Sequence, residues 1–451
     1  MKRKGFTLIE LLGVIIILGI LSMITFPIIL NQIKNAKQGI KESTKTLIID
    51  AAKDYYEDNT NNYDMIEGMT YCIDVKTLID NNYLNKKLKD ENLNDIDSTQ
   101  KVKMIYHNSK FDYQIADTCT NNILTRNNIE VPIVTENSGL YKSTTDEDRF
   151  IYRGGNPINN WIELNEGTSE TPNYVKYRIV SFEQDGTIKV VREESIGNKK
   201  WDNSTDRRNT ENGYYCVKDR GCNVWANINN TYYNGEILNP DFYYSFFENN
   251  SDIEIKHTSY RGTITQDSTM NTYLNNTWLN VTNLNPIIET HSFNVGSIRY
   301  FNGYTGGDKG IKMEKQEESL YTWNGKIGLS SITEYVESST NVSCTSVYSN
   351  FYYNPNNVSI RTTTNRNDWP CTNQSYNWMA KGIIEWFITA DAINENYYYT
   401  WEITSDGYFS SYYPDSPFGV RPAFYLKSSV TLTGDGTETN PYRIAGESWK
   451  K

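Results

Sequence analysis

The chain has 451 residues, a net charge of −11, a hydrophobic share of 38% and an aromatic share of 13% that includes 35 Tyr. That length allows two or three domains, and the acidic balance argues against nucleic acid as the main partner. A composition rich in Tyr and Asn suits an exposed, β-rich, polar-surfaced module rather than a cytosolic enzyme. At the N-terminus, the short basic stretch Lys2-Arg3-Lys4 ends at Gly5. An apolar run of about 23 residues follows, enough to cross a bilayer as a helix, and its only ionisable side chain is Glu10. The run is too long for the core of a secretory signal, and no small-residue cleavage site follows it. A peptidase acting here would cut in front of the greasy helix, after Gly5. An unpaired carboxylate within a bilayer is costly, so Glu10 reads as functional.

Gly5, Phe6, Thr7-Leu8-Ile9, Glu10 and the later Pro27 resemble the class III signal of type IV pilins and pseudopilins. The resemblance covers about 30 residues. It implies cleavage between Gly5 and Phe6 by a prepilin peptidase, N-methylation of Phe6, and helical assembly with other pilin subunits. In such a bundle Glu10 could pair with the α-ammonium of a neighbour's Phe6. The alternative is an uncleaved anchor with Glu10 near the headgroups.

Ile29, Ile33, Ala36, Ile40, Thr44, Leu47, Ala51 and Tyr55 recur every three or four residues, so the helix is predicted over 6–58 after a leader of 1–5. Gly19 and Pro27 are the expected places for a bend or local melting. A small pilin-type head over 59–120 follows. It has an amphipathic helix from Val75 to Leu84 with Asp74 as N-cap, then a hairpin of Val102, Met104 and Tyr106 against Phe111, Tyr113 and Ile115 around Asn108-Ser109. Polar residues 121–145 read as an irregular linker. Residues 146–451 form a large β-rich module, with Asp185-Gly186 and Asp406-Gly407 each between strand-like runs. Helical pieces are expected near 272–280 and 330–337. The fold class is α+β.

The large module resembles an uncharacterised domain of surface proteins from Gram-positive bacteria. The stretches that carry the resemblance include Gly155-Asn156-Pro157, Tyr177-Arg178-Ile179-Val180, Gly325-Lys326-Ile327-Gly328 and Gly419-Val420-Arg421-Pro422. Its ending is distantly similar to C-type-lectin-like folds, an analogy of fold that does not give function.

Six cysteines in an exported chain suggest disulfides, and they fall into three local couples: Cys72 with Cys119, Cys216 with Cys222, and Cys344 with Cys371. Fifteen pairings are open, and some of the thiols could instead be free and buried. His107, His257 and His291 are scattered and match no metal spacing, and no nucleophile elbow or phosphate loop occurs. No metal, cofactor or catalytic residue is therefore assigned. The Gly-rich stretches 305–310 and 433–436 read as tight turns before calcium loops. Arg421 reads as structural. Six tryptophans, Trp161, Trp278, Trp323, Trp378, Trp386 and Trp401, read as core, and part of the 397–399 and 412–413 tyrosine clusters as exposed. The function these features favour is a minor pilin, displayed at a filament tip, that initiates assembly or contacts a surface glycan or protein. A pseudopilin of a DNA-uptake or secretion machine is the alternative. A membrane-tethered polysaccharide-active enzyme comes third.

Overall fold

The computed structural model describes residues 7–143, 149–203, 216–217, 220–233, 236–237, 265–298, 318–319, 321–341, 374–391, 399–405 and 409–446. The architecture is α+β: one long N-terminal helix followed by β-rich structure. The chain divides into two compact units, Met1–Leu124 and Thr125–Lys451.

In the first unit, helix α1 (Leu8–Asp58) is unbroken through both Gly19 and Pro27. The melting expected there does not occur. In the turns before Pro27, the Thr25 hydroxyl donates to the Leu21 carbonyl at 2.7 Å and the Ser22 hydroxyl reaches the Gly19 and Leu18 carbonyls. These bonds back to the preceding turn satisfy the hydroxyls themselves, so that neither faces an apolar surrounding unpartnered. At 1.5 Å per residue, α1 is about 77 Å long. Only its C-terminal part packs on protein: Ile48, Ala51 and Ala52 are buried, and the small alanines let the neighbouring elements approach closely.

Those elements are strand β1 (Met69–Asp74), helix α2 (Val75–Asp80), and the hairpin of β2 (Lys101–His107) with β3 (Lys110–Ala116). In β2, Val102 and Met104 are fully buried while Lys101 and Lys103 are half-exposed, the alternation of a one-faced strand. Asn108 and Ser109 both have positive φ (50° and 63°), as a two-residue type I′ hairpin requires. Tyr56 packs edge-on to Phe111 at 4.8 Å and Tyr55 to Tyr83 at 5.3 Å, fastening α1 to the sheet side and the α2 side.

Helix α2 ends at Asp80, four residues short of the expected Leu84. Asn82 enters the left-handed region (φ 64°), and the N–H groups of Tyr83 and Leu84 both turn back to the Leu78 carbonyl. Asp74 stands at the N-cap but its side chain caps nothing. Its carboxylate lies 2.9 Å from Lys101 Nζ instead.

Cys72 and Cys119 form a disulfide, joining β1 to the chain beyond β3. It closes a loop with a sequence separation of 47. Chain-entropy arithmetic puts the stabilisation from constraining such a loop at roughly 4 kcal/mol, and measured values run about 2–4 kcal/mol. The double substitution Cys72→Ser/Cys119→Ser should lower the stability of this unit by about 2–4 kcal/mol, read as a lower urea midpoint with a slope at least as steep as wild type's, because the unfolded chain is freed from its crosslink.

Three strands lie in the stretch expected to be an irregular linker: β4 (Ile123–Arg126), β5 (Ile129–Pro132) and β6 (Gly139–Lys142). Asn127 and Asn128 have φ of 49° and 66°, so β4 and β5 are joined by a two-asparagine turn. The first residues of β4 pair with β1, Ile123 with Thr70 and Leu124 with Met69.

The second unit is built on an antiparallel sheet. In it β7 (Phe150–Arg153), β9 (Tyr174–Phe182) and β10 (Ile188–Arg192) lie between β6 and the strand Ala423–Leu426. Strand β8 (Trp161–Asn165) pairs with β9 as well. The β9–β10 hairpin turns at Gly186, φ 85°. From Tyr177 onward β9 is buried on both faces. A second sheet gathers Asn198–Lys200, Pro417–Gly419, Glu385–Asp391, Thr400–Ile403 and Phe409–Tyr412. The turn at Asp406-Gly407 lies outside the described residues. Helical structure runs from Thr269 to Val281 through a π-helical stretch, Tyr273–Trp278, and again over Ile332–Glu337.

All six tryptophans named above are buried, with Trp201 and Trp225 beside them. Trp225 sits edge-on between Trp201 (5.5 Å) and Trp323 (5.8 Å). The Cys216 and Cys222 positions face each other across a short antiparallel pair, and Cys222 is disulfide-bonded. Cys344 and Cys371 lie outside the described residues.

Candidate membrane and assembly segment

Helix α1 opens on Thr7, whose backbone is extended. The Glu10 carboxylate accepts both the Thr7 N–H (2.9 Å) and the Thr7 hydroxyl (2.8 Å). A glutamate three residues after a threonine, ahead of an apolar run, is the sequence signal for this arrangement. The acid thereby satisfies an N–H at a helix start that would otherwise enter lipid unpartnered. Thr7 is the residue whose part in holding Glu10 a hydropathy reading overlooks. Gly5 and Phe6 lie outside the described residues, while Pro27 sits inside α1.

On either side of Glu10 along the sequence, the helix presents apolar side chains all round. Leu8, Ile9, Leu11, Leu12, Ile15 to Leu18, Met23 and Phe26 are each more than half exposed. A helix apolar all round is stable only in a greasy surrounding. It is also long and apolar enough to cross a membrane, with none of its most apolar window buried by protein.

Among the described residues, no other group assembles comparable chemistry. The His107 ring meets the Glu67 carboxylate at the end of β2. His291 Nε2 lies 3.2 Å from Asp185, and its ring stacks on Tyr425 at 3.8 Å. His257 and the stretch 305–310 lie outside the described residues. Among the described residues no group of three or more His, Cys, Asp or Glu side chains could hold a metal ion.

Asp435 accepts the N–H (3.0 Å) and hydroxyl (2.7 Å) of Thr437. Those bonds hold its carboxyl below the usual aspartate range and make the loop a local turn. Arg421 is buried, with Nε on the Arg192 carbonyl (2.8 Å) and Nη1 on the Glu385 carboxylate (3.1 Å). Beside it Lys381 reaches Glu193, and burial together with the Arg421 charge pushes the Lys381 pKa down to about 8. Tyr412 is exposed and packs edge-on to Phe418 at 5.7 Å. Tyr397 and Tyr398 lie outside the described residues.

Residues 1–26 match the family described as a prokaryotic N-terminal methylation motif. No curated protein and no solved structure matches the chain. The motif and the membrane-length helix support a type IV pilin- or pseudopilin-like class. They imply processing by a prepilin peptidase and insertion into the membrane through α1.

Proposed function

We propose that this chain is a minor type IV pilin or pseudopilin. It is cleaved after Gly5, N-methylated at Phe6, held in the membrane by α1, and then drawn into a filament. The observation that carries the reading is a basic leader ending at Gly5, followed by an all-round apolar helix whose only ionisable residue in the span is Glu10. The role in assembly is physical. α1 has no protein cover over its N-terminal half, so outside lipid it must bury that surface against other such helices. The large second unit, Thr125–Lys451, would crowd a filament made only of copies of this chain. Placement at the tip or at rare positions follows, with pilus initiation, adhesion or partner contact as its task.

The test is processing. In a host with the cognate peptidase, the mature chain is expected to begin with N-methylated Phe6 by mass spectrometry, and immunogold should label filaments at ends or sparse points. Gly5→Leu should leave the leader attached, keep the chain in the membrane fraction and abolish its appearance on filaments. A wild-type chain that still carries Met1, or a Gly5→Leu chain found on filaments at wild-type levels, overturns the proposal.

A further inference from the structure

We propose that Lys34 and Lys41 form a basic collar on α1 that binds the phosphates of anionic lipid headgroups on the face of the membrane where the large unit lies. The proposal rests on the membrane reading of α1. No Asp or Glu occurs between Glu10 and Glu42, whereas Lys34, Lys37 and Lys41 do, in a chain of net charge −11. Spacings of three and four residues put these lysines on one face of the helix. All three are exposed. Lys37 donates to the Asn92 side chain at 3.0 Å and lies close enough to Asp90 to help lower its pKa. Lys45, one turn further on, has Glu42 at 3.8 Å. Among the described residues Lys34 and Lys41 have no such partner, so theirs are the free charges of the collar.

Their height fits lipid rather than a more distant polymer. If Leu8 to Leu30 fills the hydrocarbon, Lys34 stands roughly 6 Å and Lys41 roughly 16 Å beyond its edge. The polar layer on each side is about 5–8 Å thick. Side chains on a helix lean toward its N-terminus, here back toward the bilayer, and long lysine stems bring the ammonium further that way. Lys34 therefore reaches the phosphate layer directly, and Lys41 adds to the field within a Debye length of it. Exposed Leu30, Ile33 and Ile40 between them supply apolar contact at the same level.

The full chain would be reconstituted in nanodiscs holding equal phosphatidylglycerol and phosphatidylcholine, and the lipids retained on the released protein counted by native mass spectrometry. Wild type should retain phosphatidylglycerol preferentially. Lys34→Gln/Lys41→Gln should lower that preference about five-fold, the ratio for one basic side chain near an anionic surface. Lys34→Arg/Lys41→Arg should keep it. The leader lysines are common to all three, so the differences belong to the collar. Equal preferences in wild type and the Gln variant overturn the proposal. So does lysine-dependent binding of soluble polyphosphate with no lipid preference, which would assign the collar to a wall polymer. Failure of the chain to enter nanodiscs at all would instead refute the membrane reading.

Discussion

Glu334→Gln is expected to destabilise the second unit by about 3–5 kcal/mol, because buried Lys189 loses its counter-charge while Arg149 is left with Glu183. Glu334 lies in the helix Ile332–Glu337 and is 4% exposed. Its Oε1 meets Arg149 Nη2 at 3.0 Å and also Lys189 Nζ, and its Oε2 accepts the Ser331 N–H at 3.0 Å. Lys189 is itself 3% exposed, and Arg149 also reaches Glu183 at 3.1 Å. Glutamine offers a single acceptor, so either the helix start or the cation pair faces an NH₂ group. Burial pushes the Glu334 carboxyl up, but Lys189 and Arg149, with the Lys189 and Ser331 hydrogen bonds, outweigh it and hold the pKa below the ordinary 4.5. A depressed folded-state value means the stabilisation is complete above pH 4.5 and is lost as pH falls through the folded pKa. The gap between wild type and Glu334→Gln should therefore be widest near neutral pH and close in acid. Urea titrations at several pH values read it directly. A gap that stays below about 1 kcal/mol at neutral pH, the scale of an exposed pair, would show that the three charges are solvated.

This charge group was not legible in the sequence, and the reason is specific. Arg149, Lys189 and Glu334 are brought together by a strand pairing and a helix that no local pattern links. Within Ile188-Lys189-Val190-Val191, period-two alternation alone would send Lys189 to solvent. The covering helix at 332–337 reverses that. Local signals fared better where they depend on few residues. The apolar run and its three-and-four spacing mark α1 to its last residue, Asp58. The Asp185-Gly186 turn marks the β9–β10 hairpin. The β4–β5 hairpin escaped because each strand has only four residues and two asparagines stand where glycine is the usual cue. The Thr7-to-Glu10 spacing did carry the cap on its face, but hydropathy directs attention to the charge and away from the hydroxyl that holds it.

Glu10→Leu should separate membrane residence from assembly. A carboxylate within the span is costly to insert even near its edge, where Glu10 stands, and leucine is slightly favourable. Insertion should thus be no weaker in the variant. Processing after Gly5 should also proceed, because the basic leader and Gly5 are unchanged. The helix start loses the two Thr7 bonds, which frays an exposed terminus and leaves the rest of α1 intact. Incorporation into filaments is expected to fall at least ten-fold, because the ammonium freed on a neighbour's Phe6 would face a bundle without its counter-charge, and breaking a buried pair costs several kcal/mol. Glu10→Gln divides the two roles: its amide oxygen can still accept from Thr7 but carries no charge. If charge pairing drives assembly, Glu10→Gln should fail as badly as Glu10→Leu on filaments counted by quantitative mass spectrometry. Wild-type incorporation of Glu10→Gln would assign Glu10 to the Thr7 cap alone, and wild-type incorporation of both variants would remove it from assembly altogether.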